Sequence, residues 1–161
     1  MDDVVVRRGT RADTGPFLRL LGALADFEHL EPPTQEGKKR IIKDIFVNKR
    51  VNLLMAQTHG VHVGYALYFY TYSSFLARPT LYIEDLFVLE AYRKHGIGLA
   101  LFRRCAEEAI KTECGRMEWS VLGWNTKAIV FYEGLGARHL REWQVFRLTR
   151  DKFGSASLKA S

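Results

Sequence analysis

The stretch that most limits the folds open to this chain runs from residue 81 to residue 111. An apolar run at 81–89 leads into Arg93-Lys94-His95-Gly96-Ile97-Gly98. A helical period follows, with Ile97, Leu101, Cys105 and Ala109 on one face. Two glycines at a strand-to-helix turn let the backbone come close to a ligand. The free N–H groups of the first helical turn, at the positive end of the helix dipole, then favour an anion. Arg93, Lys94 and His95 add charge of the matching sign. A bare Gly-x-Gly also serves as a tight turn and nothing more. A dinucleotide fingerprint would need a third glycine where Leu101 stands, and a P-loop would need Gly-Lys-Ser/Thr; both motifs fail.

The rest of the chain fits elements around that turn. Val4-Val5-Val6 predicts a first strand, and Thr10-Arg11-Ala12-Asp13 resembles a capping box with Asp in place of Glu. Phe17, Leu18, Leu21, Leu24 and Ala25 then give a helix face ending near Asp26. Thr34, after Pro32-Pro33, opens a more polar helix striped by Ile41, Ile42, Ile45 and Phe46. Two strand-like runs, 51–58 and 61–72, flank His59-Gly60, a tight hairpin turn. After the helix at 97–111 come a strand at 117–122, a helix at 126–135 and a last strand at 138–148. The order β-α-α-β-β-β-α-β-α-β predicts an α/β fold with a mixed, mostly antiparallel central sheet flanked by helices. It differs from a doubly wound dinucleotide fold, which would carry its glycines in the first βα turn.

The 161 residues, 47% hydrophobic and 26% charged, suit one globular core. We expect a single domain over residues 1–150 and a polar tail at 151–161. No apolar run approaches the roughly 18 residues of a membrane helix, and Met1-Asp2-Asp3 lacks the layout of a secretory signal. Cys105 and Cys114 give no disulfide framework, so reduced thiols and a cytoplasmic setting are expected. The five histidines form no ligand spacing, and no metal is expected. The net charge of +6 suits nucleic acid, an anionic membrane or a phosphate-bearing cofactor, and does not choose among them.

Residues 93–100, Arg-Lys-His-Gly-Ile-Gly-Leu-Ala, are similar to the Arg/Gln-x-x-Gly-x-Gly/Ala signature of the GNAT superfamily of acetyl-CoA-dependent N-acetyltransferases. Asn125, Ala128, Phe131, Tyr132, Gly136 and Ala137 match the later motif of that family in their spacing. Phe69-Tyr70-Thr71-Tyr72, the run Leu81-Tyr82-Ile83-Glu84-Asp85-Leu86-Phe87-Val88, and Trp124-Asn125 resemble its diamine (spermidine/spermine) branch. The likeness covers roughly residues 4 to 150. It implies a GNAT fold, acetyl-CoA as donor and a small amine as acceptor. Binding of CoA would fall to Arg93, Lys94, His95, Gly96, Ile97, Gly98 and Leu99 around the pyrophosphate, to Leu86, Phe87 and Val88 along the pantetheine, and to Asn125 and Ala128. A homodimer is implied too, with Trp143, Val145 and Phe146 as a contact.

Acetyl transfer to an amine needs a neutral nitrogen, and deprotonating an ammonium of pKa near 10.4 at pH 7 costs about 4–5 kcal/mol. A base and a proton donor toward the departing thiolate are therefore expected. Glu84 and Asp85 interrupt an apolar strand, and strict alternation places them on opposite faces. The resemblance implies Glu84 as base through an ordered water and Asp85 as partner of the substrate amine; a solvated strand residue is the plainer reading of each. Tyr132 is a core tyrosine by periodicity, whereas the resemblance makes its hydroxyl the general acid. Asn125 suits an N-cap. Glu28, in a cluster with Asp26 and Glu31, would attract a cationic amine or simply end a helix in solvent. Glu118 and Trp119 lie on the strand that the family places under the acceptor, where Trp119 packs on an amine chain or fills the core.

These residues make an N-acetyltransferase for a diamine or polyamine, by direct transfer in a ternary complex, the leading reading. Thialysine, lysine-like amino acids or a protein lysine come next as acceptors. A non-catalytic anion or nucleic-acid binder is the third reading, and it lacks both an aromatic RNA-binding strand and a long basic run. Cys105 falls in a buried helical register, so an acetyl-cysteine route is not expected.

Overall fold

The computed structural model describes residues 4–154. The chain forms two compact units, Met1–Ser120 and Val121–Ser161. The first holds a five-stranded sheet in the order β1-β2-β3-β4-β5, with β1 Val4–Arg8, β2 Asn52–Thr58, β3 Val61–Ser73, β4 Arg78–Val88 and β5 Arg116–Trp119. The first four strands pair antiparallel, and β5 joins β4 in parallel. This is the mixed, mostly antiparallel sheet that the element order predicts. Its hairpin between β2 and β3 turns at His59 (φ 48°) and Gly60 (φ 76°), the left-handed pair that a two-residue hairpin requires.

Helices cover both faces. On one, α1 (Thr14–Glu28) and α2 (Gln35–Phe46) bury Phe17, Leu20, Leu24 and Ile45 against Leu53, Met55, Tyr65, Leu67 and Phe87. On the other, α3 (Ile97–Lys111) lays Ile97, Leu101, Cys105 and Ala109 over Leu54, Ala66, Tyr68, Leu81 and Ile83. The α3 stripe is the one its periodicity predicts. In α1, Leu20 replaces Leu18 and Leu21 at the centre of the buried ridge, and those two pack at its margin.

Two buried carboxylates tie helices to the sheet edge. Asp13, at the end of a 3-10 turn (Arg11–Asp13), accepts from the Thr10 backbone N–H at 2.7 Å and from both Arg7 Nη atoms at 2.7 and 2.8 Å. The expected capping box thus forms, one turn ahead of α1. The Arg7 guanidinium, with the Thr10 and His62 hydrogen bonds, holds the Asp13 carboxyl well below the usual carboxylate range. Glu108 on α3, 1% exposed, accepts a hydrogen bond from Arg8 at 2.6 Å and forms an ion pair with Arg104 at 2.9 Å. Among the described residues no helix is long and apolar enough to cross a membrane.

The second unit carries α4 (Thr126–Gly134), capped by the Asn125 side chain, which accepts from the Ala128 N–H at 3.3 Å. The strand expected at 138–148 does not form. Those residues have no ladder partner among the described residues, and Trp143, Val145 and Phe146 stand 75%, 86% and 90% exposed. Alternating apolar residues become a strand only when a neighbouring strand takes up their backbone groups, and none does so here. The tail expected at 151–161 begins with a 3-10 turn at Arg150–Lys152, and residues 155–161 lie outside the described part.

Because Asp13 is more acidic when folded, its contribution is fully present above the unfolded carboxyl pKa of about 4 and fades as pH falls below it. Asp13→Asn should therefore cost about 2–3 kcal/mol in urea unfolding at pH 7. The gap from wild type should narrow at pH 3.

Candidate active site

Two features of β4 shape the site in the first unit. The first is a bulge. Leu67 pairs with Asp85 and Tyr68 with Ile83, leaving Glu84 without a partner on β3. The extra residue reverses the alternation that the sequence suggests. Leu81 and Ile83 face α3, whereas Asp85 and Phe87 face α1, where Tyr65 donates its hydroxyl to Asp85 Oδ2 at 3.0 Å. The bulge breaks the strict alternation expected for Glu84 and Asp85: Glu84, exposed at the inserted position, acts on Glu28 at the end of α1 and on Asp85, Glu28 acts on Asp85, and all three act on Tyr65. Strict period-two counting fails at this point because it cannot see an inserted residue.

The electrostatics follow from that grouping. Burial, then the charges of Glu84 and Glu28, push the Asp85 carboxyl up to about 6, against the lowering effect of the Tyr65 hydrogen bond. Glu28 is raised by burial and by Glu84. Burial and the same three carboxylates raise the Tyr65 phenol far above its ordinary value. No ion pair with a basic side chain relieves Glu28, Glu84 or Asp85 among the described residues. A cation entering this cluster would meet negative charge already brought together.

The second feature is a splay. β4 and β5 pair only over Thr80–Ile83 and Arg116–Trp119, and beyond the bulge β4 has no β5 partner. Leu86, Phe87 and Val88 keep their pairing to β3 alone, helped by Gly64, where an added Cβ would lie 2.7 Å from the Phe87 carbonyl oxygen. Phe87 and Val88 are buried and Leu86 half-buried, so their side chains are core, as expected, and their free edge is backbone.

The glycine turn follows. Gly96 takes φ 80° as the N-cap of α3, and Lys94 is also left-handed at φ 65°. Thr34 and Asn125 cap α2 and α4 with side-chain oxygens, but Gly96 has no side chain to offer. The first α3 bond is Ala100 N–H to Gly96 O, so the N–H groups of Ile97, Gly98 and Leu99 precede the hydrogen-bonded ladder. No acidic residue occupies the first turn. Such an uncapped start fits a pyrophosphate. Lys94, His95 and Gly96 are exposed beside it. Arg93 turns the other way: its Nε donates to the Val88 carbonyl at 2.8 Å and its guanidinium lies 4.6 Å from the Phe27 ring centroid. It fastens the turn to the end of β4 and to α1, a role that spacing did not suggest.

The remaining predicted residues are less concentrated. Glu118 pairs with Arg116 at 2.9 Å and sits opposite Tyr82 in register. Trp119 sits opposite Ile83 and packs edge-on to Phe102 at 5.4 Å, on the α3 face. In the second unit Tyr132 is half-buried with its ring 5.1 Å from Phe131, and Asn125 and Ala128 form the N-terminal turn of α4. Cys105 is fully buried, and burial, then the Glu108 charge, push its thiol up to about 12, which leaves it inert as a nucleophile at neutral pH.

Residues 19–137 match the acetyltransferase (GNAT) family. A thialysine N-epsilon-acetyltransferase of Sus scrofa is 33% identical over 91% of this chain and 93% of its own. The chain belongs to the GNAT acetyltransferase family. It is accordingly an N-acetyltransferase with acetyl-CoA as donor. An L-ornithine N5-acetyltransferase, NATA1 of Arabidopsis thaliana, is 47% identical over 56% of the chain, a match that spans 40% of that relative. The fold is also that of an aminoglycoside N-acetyltransferase solved in complex with CoA, at a TM-score of 0.78 and 17% identity over 93% of this chain and 97% of that one. The GNAT fold and donor implied by the residues at 93–100 are thereby established.

At Gly96 an added Cβ meets nothing within 4 Å, so Gly96→Ala isolates the backbone penalty of a left-handed residue. Stability should fall by about 1 kcal/mol in chemical unfolding. A rise of tenfold or more in Kd for CoA by calorimetry is expected alongside, through the distorted turn.

Proposed function

We propose that the chain acetylates a primary amine of a small aliphatic diamine or polyamine, by direct transfer from acetyl-CoA. The observation that carries this reading is the mutual influence of Glu28, Glu84 and Asp85 at the β4 bulge, with no ion pair to a basic side chain among the described residues. An acceptor with two ammonium groups can place one beside these carboxylates while the other loses its proton and reacts. In this scheme Glu84, the exposed member, is the base acting through water, and Asp85 and Glu28 hold the second ammonium group. Tyr132 is the proton donor to the thiolate, its phenol hydroxyl carrying the proton to be given. The α3 turn, with Lys94 and His95, holds the pyrophosphate, and the free edge of Leu86–Val88 pairs with the pantetheine amides. Glu118, Trp119, Asn125 and Ala128 complete the binding set.

The family match runs through both units, which supports one catalytic domain over 1–150. The exposed apolar run with Trp143, Val145 and Phe146 supports a homodimer in which a second copy covers it. A cytoplasmic location fits the two reduced thiols.

A second reading, a diamino acid such as thialysine or ornithine, is favoured by the names of the two relatives. The geometry weighs against it. An α-carboxylate brought near Glu28 and Asp85 would be repelled, and the basic side chain described on that face, Arg93, lies over the Phe27 and Phe87 rings and forms no ion pair with either carboxylate.

Acetyl-CoA-dependent thiol release with spermidine, putrescine, thialysine, ornithine and the monoamine tyramine decides between them. Spermidine or putrescine should exceed tyramine at least tenfold in kcat/KM, and Tyr132→Phe should remove most of kcat. Equal turnover of tyramine would overturn the diamine reading. A lead of thialysine or ornithine would install the second one.

A further inference from the structure

Tyr65 is fully buried on β3, in the layer that faces α1. Its ring stands edge-on to Phe17 at 5.2 Å and is tilted against Phe87 at 6.4 Å. Packing alone would be served by phenylalanine. The hydroxyl is what differs, and its acceptor is Asp85 Oδ2 at 3.0 Å, across a diagonal of the β3–β4 ladder in which Tyr65 is registered with Phe87. That bond exists only because Glu84 is inserted. Without the bulge Asp85 would share the α3 face with Leu81 and Ile83, out of reach of Tyr65.

We propose that Tyr65 is a positioning residue of the acceptor site: its buried hydroxyl engages Asp85 Oδ2 and fixes the carboxylate, so that Oδ1 receives the second ammonium group of the acceptor. The proposal rests on the reading of Asp85 given above. Two packed rings hold the donor in place, so the carboxylate is oriented before substrate arrives and less rotational freedom is lost on binding. The hydroxyl also favours the charged form of Asp85 against burial and two neighbouring carboxylates. The titratable groups acting on Asp85 are Tyr65 from β3, Glu84 from its own strand and Glu28 from α1. Arg93 lies over Phe27 and Phe87 on the same face. α2 and β2 meet this layer through Ile45, Leu53 and Met55, which do not titrate.

Tyr65→Phe keeps the ring and deletes the bond. Its expected effects are an acceptor KM for spermidine raised about five- to tenfold, with the KM for acetyl-CoA unchanged. Because Asp85 must be ionised to hold an ammonium group, the acid limb of kcat/KM should move to higher pH. Carbon NMR of labelled aspartate, with the Asp85 signal assigned by Asp85→Asn, reads the same change without turnover: Asp85 should become an acid weaker by about fivefold. An Asp85 titration and an acid limb identical in wild type and Tyr65→Phe, with only a lower melting temperature, would show Tyr65 to be core packing and overturn the proposal. Asp85→Asn separates the two readings. If it leaves the spermidine KM unchanged, the acceptor reading of Asp85 falls, and the functional half of this proposal falls with it. If it raises that KM and Tyr65→Phe does not, the proposal fails while the acceptor reading stands.

Discussion

One unpaired residue in β4 organises the functional side of this molecule. A strand that kept its period through Glu84 would send Asp85 into the α3 layer, where its charge would lie among Leu81, Ile83 and Leu101. The bulge turns that side chain to the other face, beside a tyrosine that can satisfy it. It also coincides with the end of pairing to β5, so the segment that follows is held on one edge only. Charge clustering, the free backbone edge and the path toward the glycine turn thus share a single cause in the ladder. Bulges bend strands and raise local twist, which is why they recur where a sheet must open.

The turn that follows is built by opposite means. Its suitability for the proposed pyrophosphate comes from what is left out: no side chain at Gly96, no acidic residue in the first turn, and N–H groups ahead of the first helical bond. Its position comes from what is put in. Arg93 spends its guanidinium on the Val88 carbonyl and on the Phe27 and Phe87 rings, so the loop is fastened to β4 and to the end of α1 at once. The residue before Glu28 and the residue ahead of the α3 turn are therefore in direct contact. A glycine turn and an acidic cluster sharing one aromatic anchor would suit the proposed reading, in which the enzyme must bring two substrates together.

Much of the fold could be read locally. The α3 stripe, the Thr34 and Asn125 caps, the His59-Gly60 hairpin and the capping box at Thr10 depend on neighbours in sequence, and each forms where its pattern lies. The run at 138–148 failed for the converse reason. Its alternation was as good as that of other strands, but a strand needs a partner, and partner choice is not a local property. Side-chain contacts were no more legible: the motif gave no sign that the Arg93 Nε donates to the Val88 carbonyl or that its guanidinium lies over two rings.

The sequence by itself determined the element types up to α4, the glycine turn and the family, because short-range periodicity, capping and motif spacing are written in consecutive residues. It also held every member of the acidic cluster, though not as a cluster. Only the tertiary structure decided that Glu28, Glu84 and Asp85 act on one another and that Tyr65 joins them. That decision rests on a register shift between β3 and β4, and register is a relation between two segments that no single stretch of sequence encodes.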